Sequence, residues 1–259
     1  MAMNEVVKLS KKNRQDRILT ELRVSTTIRI SDLAAELGVS YETIRRDLEE
    51  MGQSGLINRT YGGAVVRPFG FEPAWNERFN AMTEERERIA ATAAGLIEPR
   101  EVVMIDAGST TLHFARRLAA EAKNLTIVTN CFAVAMAFST NPTITVLACP
   151  GQYDSHEGSV TGPDTINYLA RFNANRAVIG ASGITLEGPN DVHSSAAAVK
   201  RAMLQRSQEH ILLLDHSKFE MPNLEVVCPL NEIHRLVTDQ PPPSELGAAL
   251  GKARVEILY

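Results

Sequence analysis

Cysteine is scarce in this 259-residue chain: Cys131, Cys149 and Cys228 are the only three, at unrelated spacings. An odd count with no paired spacing argues against a disulfide framework. The six histidines are scattered. Neither an H-x-x-x-H nor a C-x-x-C pattern occurs, so neither a metal site nor a cofactor is expected. No apolar run is long enough to span a bilayer, and the N-terminus lacks the apolar core of a signal peptide. The expectation is a soluble cytoplasmic chain with no membrane partner. Internal repeats and low-complexity tracts are also missing.

What is present divides unevenly. Hydrophobic residues make up 44% of the chain, enough for one small and one medium domain, each with its own core. The net charge of −4 conceals an asymmetry: residues 1–70 hold 11 Lys and Arg against 9 Asp and Glu, leaving −6 for the rest. A slightly basic head on an acidic body suits nucleic-acid contact confined to one end. A net of +2 is small, so dimerisation is expected to assemble enough phosphate contacts.

The head carries the most informative run, SDLAAELGVSYETIRRDLEEMGQSGLINRTYGGAV, which begins at Ser31. Leu33, Ala34 and Leu37 form one apolar stripe at helical spacing, and Ile44, Leu48 and Met51 form a second. Between them Gly38 suits a left-handed helix end, and Ser40 can cap the next helix. An upstream helix over about 14–24, burying Ile18, Leu19 and Leu22, completes a three-helix core. Two short helices around a Gly-containing turn match the DNA-reading helix-turn-helix.

In the second of these helices Glu42 and Arg46 lie almost opposite the apolar seam, with Thr43 and Arg45 on the flanks. Arg can pair with guanine, Glu can accept from cytosine, and Ser or Thr can hold phosphate. The helix N-terminus at Ser40 and Tyr41 favours a phosphate. A plain solvated Arg/Glu face is the competing reading, and the turn and the downstream ribbon weigh against it. Residues 55–66 predict two short strands. Arg59 and Tyr61 between them can contact DNA as a wing, although a simple hairpin has the same pattern.

These residues resemble the N-terminal domain of the DeoR family of bacterial sugar-responsive transcriptional regulators. The family signature V-S-x-x-T-I-R-R-D-L is present as Val39, Ser40, Thr43, Ile44, Arg45, Arg46, Asp47 and Leu48. Tyr61 stands where many relatives carry His. The resemblance implies double-stranded operator DNA as a partner, with Ser40, Tyr41, Glu42, Thr43, Arg45, Arg46, Arg59 and Tyr61 at the interface.

Downstream of this domain (residues 1–66), an aromatic-rich linker is expected over 67–83, with Phe69, Phe71, Trp75 and Phe79 docking on the second domain. Residues 84–259 then alternate apolar strands with amphipathic helices. That pattern predicts an α/β domain around a largely parallel sheet. Strands are expected at 102–106, 125–129, 143–148, 177–180, 211–215, 235–238 and 255–258. Helices are expected from Thr83, with Ile89, Ala93 and Leu96 on the buried face, and over 112–122.

Ligands of open α/β sheets bind beyond the carboxyl ends of the strands. Asp106, Gly108, Ser109, Thr110 and Thr111 join such an end to a helix N-terminus, where backbone N–H groups and hydroxyls can cradle an anion. A well-capped helix has the same look. Further polar strand ends at Thr129 and Asn130, Ser182 and Gly183, and Asp215 through Lys218 favour a ligand site.

This second block also resembles the DeoR family, in its sugar-phosphate sensor domain, through IDAGSTT, LTIVTN, GSVTGPD, AVIGASGI, VKRAM and LLLDHSKF in order. The fold implied is Rossmann-like and related to ribose-5-phosphate isomerase. By the same resemblance, residues 108–111 hold a phosphate-like anion with Lys218 supplying charge. Asp106 and Asn130 bind sugar hydroxyls, and Asp215 positions Lys218 or touches the sugar. Gly151, Gln152 and Gly162 line the mouth. Two departures stand out. Pro150 replaces a Gly before the loop, and Ser195 through Ala198 replace a stretch that commonly contains Glu-Ala, removing a carboxylate able to balance Lys200.

The resulting expectation is a homodimeric or homotetrameric repressor of a carbohydrate operon, released by an anionic sugar derivative, phosphate or sulfonate. The alternative is an active isomerase-like enzyme tethered to DNA, with Asp106, Asp215 and Lys218 as its acid/base set.

Overall fold

The computed structural model describes residues 10–24, 27–53, 57–60, 63–66, 72–73 and 75–259. The chain forms two compact units, Met1–Pro68 and Phe69–Tyr259.

In the first unit, α1 (Lys11–Val24) leads through β1 (Thr27–Arg29) into α2 (Ile30–Glu36) and α3 (Tyr41–Gln53). The ribbon of β2 (Ile57–Thr60) and β3 (Gly63–Val66) comes next. Gly38 takes φ +63° at the end of α2, the left-handed conformation that lets the chain reverse into α3. Ile18, Leu22, Leu33, Ile44, Leu48 and Met51 form the core. Leu19's side chain lies outside the described residues. The ribbon acquires a strand that the sequence does not predict: β1 pairs antiparallel with β3, giving the order β1-β3-β2. Arg14 binds the buried Asp47 from α1 (2.9 Å), so this signature Asp ties α1 to α3.

The second unit opens with α4 (Trp75–Phe79) and α5 (Thr83–Ala94). It continues through β4 (Val102–Ile105), α6 (Ser109–Glu121), β5 (Thr126–Thr129), α7 (Phe132–Ala137) and β6 (Thr145–Ala148). A small ribbon, β7 (Gln152–Asp154) and β8 (Ser159–Thr161), precedes α8 (Pro163–Leu169) and β9 (Ala174–Ile179). Next come β10 (Gly183–Thr185), β11 (Gly188–Asp191), α9 (Ser194–Gln205), β12 (Ser207–Leu213) and β13 (Glu225–Val226). The last elements are β14 (Arg235–Val237), α10 (Ser244–Lys252) and β15 (Glu256–Leu258).

Seven parallel strands form one sheet in the order β15-β14-β12-β9-β4-β5-β6. Alternate side chains of β4 enter different cores: Val103 and Ile105 pack with α5 and α6, whereas Met104 packs with α9. Helices therefore cover both faces, which is why the strands are apolar runs. Trp75 and Phe79, from the expected linker, pack against the first of these cores. Phe69 and Phe71 lie outside the described residues. The three cysteines are buried free thiols, and burial pushes those of Cys149 and Cys228 up to about 12.

From β4 the chain builds outward through β5 and β6, then returns to lay β9 on the other side of β4. The strand order reverses between β4 and β9, and the crevice at such a point is where doubly wound sheets bind ligands.

Candidate functional site

On the helix-turn-helix unit, Ser40 Oγ accepts from the Thr43 backbone N–H (3.2 Å) and caps α3. Tyr41 is exposed. Glu42 bridges two arginines, binding Arg45 Nε at 2.8 Å and Arg46 Nε at 3.1 Å. Those hydrogen bonds, Arg45's first, hold the Glu42 carboxyl down to about 2. Arg45 also reaches Glu49 (3.0 Å), so the two guanidiniums stand ordered side by side. The Arg46 side chain is 73% exposed, opposite the buried Ile44 and Leu48. Arg59 stands on β2 opposite Ala64. Tyr61 lies outside the described residues.

In the second unit a cavity opens at the reversal point, lined by Asp106, Gly108, Ser109 and Thr110 after β4, Asn130 after β5, and Ser182 after β9. Lys200 and Lys218 reach it from α9 and from the turn at His216–Lys218. Asn130 is fixed by two bonds: its Oδ1 accepts from Ala107 N (3.1 Å), and its Nδ2 donates to Val160 O (3.1 Å). Lys200 Nζ lies 2.9 Å from both Asp106 and Asp191. Burial opposes the Lys200 charge, but the two carboxylates outweigh it and hold its pKa above the usual lysine range. With one ammonium between two acids, burial pushes the Asp106 carboxyl up, and Asp191 adds to this. Asp191 thus supplies the carboxylate that the missing Glu-Ala stretch left in doubt, and Ala196 lines the wall there.

A second ion cluster closes the cavity. Lys218 Nζ binds Glu72 Oε1 (2.9 Å), Ser182 Oγ donates to Glu72 Oε2 (2.6 Å), and Arg78 approaches Glu72 at 3.2 Å. Arg78 also binds Glu157 (2.6 Å). The Oε1 atom of Glu157 faces His156 at 3.0 Å and His193 at 3.4 Å. Burial opposes the Glu72 charge, yet Lys218 and Arg78 overcome it and keep Glu72 well below the usual carboxylate range. Glu72, Arg78, Glu157 and Asp191 are wall residues that the sequence pattern does not single out.

Several expected site residues stand elsewhere. Thr111 is buried, with its hydroxyl donating to Gly108 O (3.0 Å). Thr129 accepts from Cys131 N (3.1 Å). Asp215 binds Arg86 (3.0 Å) and accepts from Ser217 N (3.2 Å), so it fixes the turn bearing Lys218 and does not line the cavity. Gly151, Gln152 and Gly162 sit around the β7–β8 ribbon and likewise do not line it. A Cβ at Gly151 would come within 2.2 Å of Thr165 Oγ1, and one at Gly183 within 2.1 Å of the Met221 carbonyl. Close backbone approach requires both glycines.

Comparison with known proteins agrees for both units. Residues 14–67 match the DeoR-like helix-turn-helix domain, and residues 81–240, more than half of the chain, match the DeoR C terminal sensor domain. The transcriptional repressor AccR of Agrobacterium fabrum is 30% identical over 239 residues, covering 89% of this chain and 90% of that protein. The glycerol-3-phosphate regulon repressor of Escherichia coli is 29% identical over 247 residues, covering 94% and 97%. Ribose 5-phosphate isomerase A of Neisseria gonorrhoeae is 17% identical, with a TM-score of 0.38 over 52% of each chain.

Proposed function

The chain belongs to the DeoR family of transcriptional regulators, and from that premise we propose that it represses a carbohydrate-utilisation operon and is released by an anionic sugar derivative. The observation that carries this reading is the convergence of Ser109, Thr110, Asn130, Ser182 and Lys218 on one cavity at the strand-order reversal. A helix N-terminus, hydroxyls and a lysine suit a phosphate or sulfonate, and Asp106 and Asn130 suit sugar hydroxyls. On the DNA side, Arg45 and Arg46 meet base edges or phosphates once Glu42 yields them. Among the described residues no helix is long and apolar enough to cross a membrane.

Operator binding by two reading helices calls for a homodimer or homotetramer. Exposed Phe132 and Met136 on α7, with Tyr153 beside Phe132 (ring centroids 5.6 Å), offer apolar area for self-association. The enzymatic alternative is weaker. Asp106 is engaged with Lys200, Lys218 with Glu72, and Asp215 with Arg86 outside the cavity, so the three form no proton-transfer constellation.

Thermal shift with a panel of sugar phosphates and sugar sulfonates tests the sensor reading, with Thr110→Ala as control. A selective rise in Tm, lost in Thr110→Ala, supports it. No shift with any compound opposes it.

A further inference from the structure

The charge cluster that closes the cavity is unusual for a site awaiting an anion. Lys218, its expected cation, is already neutralised at 2.9 Å by Glu72, a carboxylate of the same chain. The Glu72 carboxylate has both oxygens engaged: Oε1 by Lys218 and Arg78, Oε2 by Ser182. Ammonium, guanidinium and hydroxyl around one anionic group are what a tetrahedral oxyanion uses. Among the described residues the buried Nε–H of Arg78 meets no acceptor, a donor in reserve. Lys218, Arg78 and Ser182 all line the cavity, and all three are already taken by Glu72. An anion that uses these donors must displace the carboxylate, so Glu72 holds the place of the ligand's anion.

Position in the chain gives that exchange a consequence. Glu72 is the fourth residue of the sensor unit, which begins at Phe69 directly after the DNA-reading unit. Resting on the sensor function proposed for this cavity, we propose that the effector's phosphate or sulfonate replaces the Glu72 carboxylate on Lys218, Arg78 and Ser182. Expulsion of Glu72 is then the first step by which ligand occupancy reaches the DNA-reading unit. Glu72 is a built-in competitor: it lowers apparent effector affinity by the fraction of time the site is open, and that same competition couples ligand to chain position. A phosphate or sulfonate offers three terminal acceptor oxygens against the two of a carboxylate, and a phosphate carries more charge as well, which gives the exchange its direction.

The chain contains its own reporter. Its one tryptophan, Trp75, lies three residues past Glu72, stacks on Phe79 (5.5 Å) and donates its backbone N–H to His156 O (3.0 Å). The test is titration of the full-length protein with inorganic phosphate, and separately with sulfate, monitored by calorimetry and by Trp75 emission. Glu72→Gln should bind phosphate at least about tenfold more tightly than the unaltered protein, as expected if the site is open about one-tenth of the time. Its emission should already match that of the phosphate-saturated parent. Lys218→Met should abolish binding. A preference for sulfate over phosphate would mark a sulfonate effector, and the reverse a phosphate.

Equal phosphate affinity in Glu72→Gln and parent overturns the exchange. So does phosphate binding to the parent with no change in Trp75 emission, a measurement that stands even if the variant fails to fold. If sugar phosphates raise Tm in the thermal-shift panel while either result holds, the exchange falls and the sensor reading survives. If no anion binds either protein, both fall.

Discussion

Lys200 Nζ stands 2.9 Å from Asp191 and equally close to Asp106, one buried ammonium serving two buried carboxylates from different strand ends. It staples α9 to the ends of β4 and β11 at the wall of the cavity.

Lys200→Met should destabilise the sensor unit by roughly 3–5 kcal/mol in urea titration at pH 7, because two buried acids lose their cation. The sign of the pH dependence comes from Asp106, whose carboxyl is raised already in the parent. An acid with a raised folded pKa loses stability as pH rises and regains it on protonation. The variant should therefore recover stability as pH is lowered from 7, and a variant with unchanged stability would show that the staple contributes nothing.

Two residues of the family signature have separable roles. Asp47 is buried against Arg14, and Asp47→Ala should lose roughly 3 kcal/mol of stability in the DNA-reading unit, and DNA binding with it. Arg46 is exposed, and Arg46→Ala should weaken operator binding by roughly 1–3 kcal/mol with Tm unchanged. Anisotropy with labelled DNA, beside thermal melts, distinguishes them. Equal effects of both substitutions on Tm would contradict this assignment.

The turn bearing Lys218 should respond to pH through His216, whose Nδ1 lies 2.7 Å from Asp239. That hydrogen bond raises the His216 pKa above its ordinary 6.5. The resulting stability is full below pH 6.5 and is lost as pH climbs through the raised value. Histidine NMR should place His216 above 6.5 and return it toward that value in Asp239→Asn. A titration at the ordinary value in the parent would refute the pairing.

Phe132→Ser with Met136→Ser should move the protein toward a smaller assembly in light scattering, since both side chains are exposed on α7. Unchanged mass would place the self-contact elsewhere.

Much of this architecture is legible in the sequence, for reasons tied to particular segments. All seven strands of the parallel sheet coincide with expected strands, and in the central β4 burial on both faces leaves no polar position in VVMI. The early residues of β12, Ser207 through His210, are missed because they are polar. The strand Thr27–Arg29 is too short to show alternation, and only its pairing with β3 reveals it.

The cavity is half legible. Asp106, Gly108, Ser109, Thr110, Asn130, Ser182 and Lys218 read as strand ends and do line it. Gly151 and Gly183 look like site glycines but answer to backbone crowding. Glu72 and Arg78 escape notice because they precede the first strand of the sheet, and Glu72 meets its partners Ser182 and Lys218 across 110 and 146 residues. No local pattern encodes a contact at that range.

Control of DNA binding by an anionic sugar in the sensor cavity is tested most directly on an operator fragment selected in vitro with the full-length protein. Anisotropy of that fragment is measured with and without the sugar phosphate and sulfonate panel. At least one compound should weaken operator binding by about fivefold or more, and Lys218→Met should bind the same DNA without responding. Operator affinity unchanged by every compound, or a Lys218→Met protein released as readily as the parent, would contradict sugar control.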